Sequence, residues 1–220
     1  MVAGLIPCTS GSISIGDVRV VRPYTDLGIV FQEPVLLDWR KVMGNILLQV
    51  EMRRGMDKKR FRGRALELLE LVGLQGFEGR YPFELSGGMR QRVSICRALL
   101  HDPPLLLMDE PFGALDALTR DQLNLDLQSI WLQSRKTVMF VTHSITEAVF
   151  LSDRVVVFSP RPGRVVEVLE IDLPRPRSLS VRETPEFGRY AGEIRRLFSS
   201  LGILREDVAS PSPVASGSGG

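Results

Sequence analysis

Apolar positions along the chain follow two periods. Ala65, Leu68, Leu69 and Val72, stopped by Gly73, predict an amphipathic helix. Met89, Val93, Cys96 and Leu100 predict a second, and Leu123, Leu127, Ile130 and Trp131 a third, because each set falls on one helical face. Between them stand short unbroken apolar runs at 27–31, 104–109, 137–142, 154–159 and 164–171, the pattern of strands buried on both faces of a parallel sheet. Helices alternating with such strands mark an α/β chain. After residue 171 the character changes: Pro174, Pro176 and Pro185 punctuate an Arg-rich stretch, and 186–201 reads as a last amphipathic helix. Ser, Pro and Gly dominate 208–220, a composition that cannot bury enough apolar surface to order itself, so a disordered tail is expected.

Composition narrows the class. At 220 residues, 44% hydrophobic and 25% charged, the chain is that of a globular domain rather than a disordered or fibrous one. The apolar runs at 105–108 and 155–158 are strand-sized, far short of the ~20 residues that span a bilayer. A net charge of +2 is too small for a general nucleic-acid binder. Cys8 and Cys96 lie far apart with no C-x-x-C, which argues against a disulfide framework or a zinc site and suits a reducing compartment. Residues 1–5 carry neither a basic nor a long apolar leader segment, so a cytoplasmic location is expected.

The stretch richest in chemistry is Leu85-Ser86-Gly87-Gly88-Met89-Arg90-Gln91, followed by the run at 105–108 that ends in Asp109-Glu110. Ser86, Gly87 and Gly88 open a helix whose free N–H groups form an anion site, a phosphate reader. The apolar run delivers two carboxylates to the C-terminal edge of a sheet, where ligands bind in open α/β folds. One suits a magnesium-bound water and the next a general base. Each element has a plainer reading: Ser-Gly-Gly as a tight turn, Glu110 as a helix-start carboxylate, and His143 as a structural histidine. Trp39, with Val35, Leu36 and Leu37, reads equally as core or as an exposed partner patch. Cys96 reads as a small buried hydrophobe, and His101 as bland surface.

Over residues 3–200 the chain resembles the nucleotide-binding subunit of an ATP-binding cassette (ABC) transporter. Residues 85–91 look like the ABC signature, 105–110 the Walker B strand, and Ala114-Leu115-Asp116 the D-loop. Gln32, after Gly28-Ile29-Val30-Phe31, looks like the Q-loop glutamine, and His143, after Val141-Thr142, the switch histidine. Trp39-Arg40, residues 142–148 and residues 159–163 look like the importers for nitrate, sulfonate, taurine and related small organic anions or vitamin precursors. The resemblance implies a P-loop NTPase-like α/β fold with a helical subdomain at about 40–100, the nucleotide-binding domain covering 1–172 and a C-terminal extension with a helix covering 173–207. It implies ATP and Mg²⁺ as ligands. Glu110, His143 and Gln32 would be catalytic, Ser86, Gly87, Gly88, Gln91 and Asp116 nucleotide-binding, and Asp109 and Gln32 metal-binding. It also implies a second ATP-binding subunit, either a copy or a paralogue, with transmembrane permease subunits, a solute-binding protein acting indirectly, and no nucleic acid. The chain would lie peripherally on the cytoplasmic face of the membrane.

One departure stands against the matches. None of Lys41, Lys58, Lys59 or Lys136 follows a glycine, so no segment reads as the G-x-x-x-x-G-K-[ST] phosphate loop (Walker A). Residues 1–11 look like the end of the helix that should follow this loop, so the first strand and the loop are expected to be missing. The resemblance implies that this strand lies beside the Walker B strand, so Leu105, Leu107 and residues 138–141 are expected to present an open edge. Two rival readings follow: an ATPase-dead half-cassette that lends its signature to an intact partner, and a non-transport ABC ATPase.

Overall fold

The computed structural model describes residues 1–53 and 55–204, and the tail expected at 208–220 lies outside the described residues. Residues 1–11 form turns rather than the end of a helix. Strands β1 (Ser14–Ile15) and β2 (Val18–Arg19) make a short antiparallel hairpin ahead of β3 (Gly28–Val30). Four helices follow: α1 (Val42–Ile46), α2 (Leu48–Met52), α3 (Lys58–Leu71) and α4 (Gly87–Leu99). The chain then alternates β4 (Leu105–Asp109), α5 (Ala117–Ser134), β5 (Thr137–Val141) and α6 (Ile145–Leu151). It ends in β6 (Arg154–Phe158), β7 (Val165–Glu170) and α7 (Pro185–Ser200).

Local signals set these limits. The Asp57 side chain accepts from the Lys59 N–H at the start of α3, and Gly73, at φ +69, carries the left-handed turn that ends it. Asp116 caps α5 through the Thr119 N–H, and Thr184 caps α7 ahead of Pro185.

The α/β expectation holds in the order β3-β4-β5, all parallel, with Val30 beside Met108 and Asp109 beside Val141. Three expectations need correction. First, β4 has a neighbour on each side, and the sheet's two edges among the described residues are β3 and β5; in β5, Thr137, Met139 and Val141 are exposed. The reason is that β3 and β5 both register on β4. Second, burial on both faces holds for β4 but not for the later strands. Third, β6 and β7 pair antiparallel with each other. Ser159 N–H donates to Arg164 O at 2.9 Å, closing a tight connection that permits only antiparallel pairing, since a parallel partner needs a long crossover.

Two cores result. The larger runs from Val30, Leu106 and Met108 through Val93, Cys96 and Phe112 to Leu68 and Ile46, joining the sheet to α1–α4. The smaller packs Phe150, Val157, Ile171, Phe187, Tyr190 and Ile194 between α6, the β6–β7 hairpin and α7. Truncating a fully buried ring such as Phe112 or Phe150 costs about 3–5 kcal/mol.

Candidate functional site

The C-terminal ends of the three parallel strands bring four of the expected residues to one edge. Asp109 ends β4 and is exposed. Glu110 follows with φ 42, in the left-handed region that a side chain rarely adopts and that marks stored strain. Its N–H donates to Val141 O at 2.9 Å, which pins it to β5. Its Oε2 lies 3.1 Å from Nδ1 of His143. Gln32, just past β3, borders the same turn. A Cβ placed on Gly113 would lie 3.4 Å from Gln32 Nε2 and 3.6 Å from Glu110 Oε2.

His143 is held through its neighbours. Thr142 Oγ1 donates to Glu147 Oε2 at 2.7 Å and accepts from the Ser144 N–H at 3.0 Å. Ser144 Oγ accepts from the Glu147 N–H, capping α6. Both residues flanking the histidine are therefore fastened to Glu147, which is itself buried.

A second cluster forms around the start of α4. Ser86 is exposed and caps the helix through the Met89 N–H at 3.3 Å. A Cβ on Gly88 would strike Thr119 Cγ2 at 2.5 Å, and one on Gly87 would touch Leu115 Cδ2 at 3.4 Å. The two glycines thus let α4 seat directly against the start of α5. Asp116 belongs to this cluster. Hydrogen bonds from Thr119, side chain first and backbone second, hold its carboxyl below the ordinary carboxylate value. Gln91 departs from the expected nucleotide contact: it is buried, and its amide donates to Phe31 O at 3.2 Å. It is a strut between α4 and the end of β3.

Three further residues shape the site. Arg97, buried on α4, donates to the carbonyls of Pro34 and Val35, both at 2.7 Å, and so holds the loop after Gln32, in which Val35 sits at φ 45. Asn45 is buried and pairs with Leu37 through its N–H at 2.7 Å and its carbonyl at 3.1 Å. An arginine on the apolar stripe of α4 is the sequence signal that could have revealed the first; Asn45 left none. Trp39, 75% exposed, resolves toward the partner-patch reading. It edges a groove of about 540 Å³ whose walls include Arg40, Lys41, Glu51, Glu78 and Tyr81. Cys96 is buried as expected, and burial pushes its thiol up to about 12. His101 is not surface: it is buried and neither ring nitrogen has a partner.

Among the described residues no group of three or more His, Cys, Asp or Glu side chains could cage a metal. Mg²⁺ does not require one, because it keeps several waters and binds through one or two carboxylates together with substrate phosphates. Asp109, an exposed carboxylate at the strand edge beside Glu110, fits that mode. No helix among the described residues is long and apolar enough to cross a membrane.

Comparison with known proteins identifies the family. The ABC transporter family model matches residues 1–113. The taurine import ATP-binding protein TauB of Rhizobium johnstonii is 47% identical over 209 residues, covering 93% of this chain and 79% of that protein. The aliphatic sulfonates import ATP-binding protein SsuB of Bacillus cereus is 41% identical over 208 residues, covering 94% and 80%. Among solved structures, the dimeric form of a bacterial ABC transporter cassette superposes with a TM-score of 0.64 at 31% identity, covering 77% of each chain. A post-hydrolysis state of that cassette bound to ADP and phosphate matches at the same TM-score and 30% identity. The chain belongs to the ABC transporter family, as one of its ATP-binding ATPase cassettes.

Proposed function

We propose that this chain is the ATP-hydrolysing subunit of an importer for small organic anions of the sulfonate, taurine or nitrate class. It works as half of a two-subunit sandwich on the cytoplasmic face of the membrane. The observation that carries the hydrolytic part is the Glu110–His143 contact, 3.1 Å long, at the strand edge that also bears Asp109. The solute class draws support from the taurine and sulfonate import relatives.

In this reading Glu110 accepts the proton of the attacking water. Its strained backbone and its bond to Val141 O hold the carboxylate at the strand edge, so little reorganisation is needed when charge develops. His143, with Nδ1 turned to Glu110, keeps Nε2 for the terminal phosphate of ATP. Gln32 senses the same turn and carries its state into the loop held by Arg97. Asp109 holds Mg²⁺ through water, and the metal when bound neutralises charge on the transferring phosphate. Ser86 and Asp116 face outward, with Gly87 and the buried Gly88 shaping the start of α4 behind them, as the cap for a nucleotide held by the other subunit. The groove beside Trp39 docks the permease, so closure of the sandwich pulls on the membrane subunits. Residues 1–172 form the nucleotide-binding unit, with 40–100 as its helical part and 173–207 as its extension.

A second reading, the half-cassette, rests on Ser86, exposed at the start of α4, as a group offered to a nucleotide held by an intact partner. Phosphate release by an intact homologous cassette, measured with and without this chain, tests the shared core of both. Turnover rises above that of the cassette alone if the chain completes a sandwich, and stays unchanged if it does not.

A further inference from the structure

Arg177, between β7 and α7, is 2% exposed. Its Nη1 donates to the carbonyls of Val149, Phe150 and Ser152 at 3.1, 2.9 and 2.8 Å, the last turn and C-cap of α6. Its Nε and Nη2 donate to Leu173 O at 3.2 and 2.9 Å, and Nη2 reaches Ile171 O at 3.5 Å. The Asp153 carboxylate stands 4.0 Å off and is engaged by Arg175 at 2.9 Å. A buried cation is thus solvated by five main-chain carbonyls. Burial, with Arg175 adding to it, lowers its pKa to about 10. Burying charge in this way is costly, and an apolar side chain would fill the smaller core without that penalty. The planar fork instead fixes several orphan carbonyls at the negative end of a helix, which no apolar group and no lysine can do.

The Arg177 backbone is clamped in turn. Gln128 of α5 accepts from its N–H at 2.7 Å and donates to its carbonyl at 2.8 Å. At the other end of α6, Glu147 fastens Thr142 and Ser144 on either side of His143, and Arg120 lies 3.6 Å from the same carboxylate. The seven residues of α6 make a rod about 10 Å long, with the histidine at one end and the arginine at the other.

We propose that Arg177 is a positioning residue for His143: by locking the far end of α6 to α5 and to the C-terminal segment, it sets the His143–Glu110 contact. This rests on the reading of His143 and Glu110 as the working pair.

The chain holds two histidines, His101 and His143, so imidazole nitrogen spectra of the labelled full chain report each separately. Glu110→Gln supplies the reference, the shift of His143 when its partner loses charge. No movement there means that the pair itself is wrong, whatever Arg177 does. Given a reference shift, Arg177→Lys moves or broadens the His143 signals toward the reference while leaving His101 in place, and Arg177→Met moves them further. Gln128→Met, which cuts the clamp without touching the guanidinium, produces the same selective change. Unmoved His143 signals in folded Arg177→Met and Gln128→Met chains overturn the assignment. So does joint movement of both histidines in chains that no longer fold, which would make Arg177 a general brace.

Discussion

His143 Nδ1 sits 3.1 Å from Glu110 Oε2 across 33 residues of sequence. The contact joins two adjacent strand ends, because the Glu110 N–H is bonded to Val141 O in β5. Glu110 occupies φ 42 to do this, a conformation glycine adopts freely. Glu110→Gly therefore relieves about 1 kcal/mol of strain while removing the carboxylate. A thermal melt of the variant is expected to show a midpoint about 2–4 °C above the parent. A lower midpoint means that the carboxylate stabilises the fold more than its backbone strains it.

At the start of α4, Gly88→Ala places a methyl 2.5 Å from Thr119 Cγ2 and destabilises by about 1–3 kcal/mol. Thr119→Ser removes that methyl and keeps the hydroxyl, so the double variant recovers most of the loss. Urea midpoints of the four proteins in the cycle measure the coupling, and additive losses refute the clash.

His101 makes stability depend on pH. Burial first, then the Arg53 charge, lowers its pKa from the ordinary 6.5, opposed by Asp26, the nearby Leu27 backbone and Asp102. The folded state therefore binds fewer protons than the unfolded chain. The contribution is fully present above pH 6.5 and is lost as pH falls through the lowered value. His101→Phe removes this slope and spares two unpartnered ring nitrogens, gaining about 1 kcal/mol at neutral pH. Denaturant titrations at pH 8 and pH 5.5 compare the two proteins, and equal acid losses contradict the account.

The regular elements were legible because their signals are local. Leu68, Val93 and Leu123 fall on helical stripes, and Asp57, Ser86 and Asp116 cap the helices they precede. Helices α1 and α2 are five residues each, too short to show a period. The valines of 154–158 and 165–168 suggested two-sided burial, yet their tight connection forces a hairpin with Val156 and Val168 outward. Of the site, Asp109, Glu110 and His143 were found by motif order. The work of Gln91, Arg97 and Asn45 was hidden, because each bonds to main-chain atoms that only the fold brings near. His101, read as surface, is buried beside Leu27, which lies far from it in sequence.

Nucleotide affinity follows from the lysines. None of the four follows a glycine, so the sequence lacks the loop of backbone donors with a fixed cation that cradles phosphates. Isothermal titration of the 220-residue chain with Mg-ATP is expected to show no tight site, and micromolar binding contradicts this.

On the proposed reading, the Ser86 cluster and the Glu110 cluster serve different nucleotides. Its most direct measurement is phosphate release by a mixed dimer of this chain and an intact homologous cassette, with single changes confined to this chain. Ser86→Ala is expected to lower turnover of the nucleotide held by the partner by about 10²–10³-fold, the effect of removing one donor aimed at transition-state charge, while Glu110→Gln leaves that turnover unchanged, because Glu110 acts only on a nucleotide held by this chain, which the 220 residues alone bind weakly. Turnover destroyed by Glu110→Gln and tolerant of Ser86→Ala would contradict it.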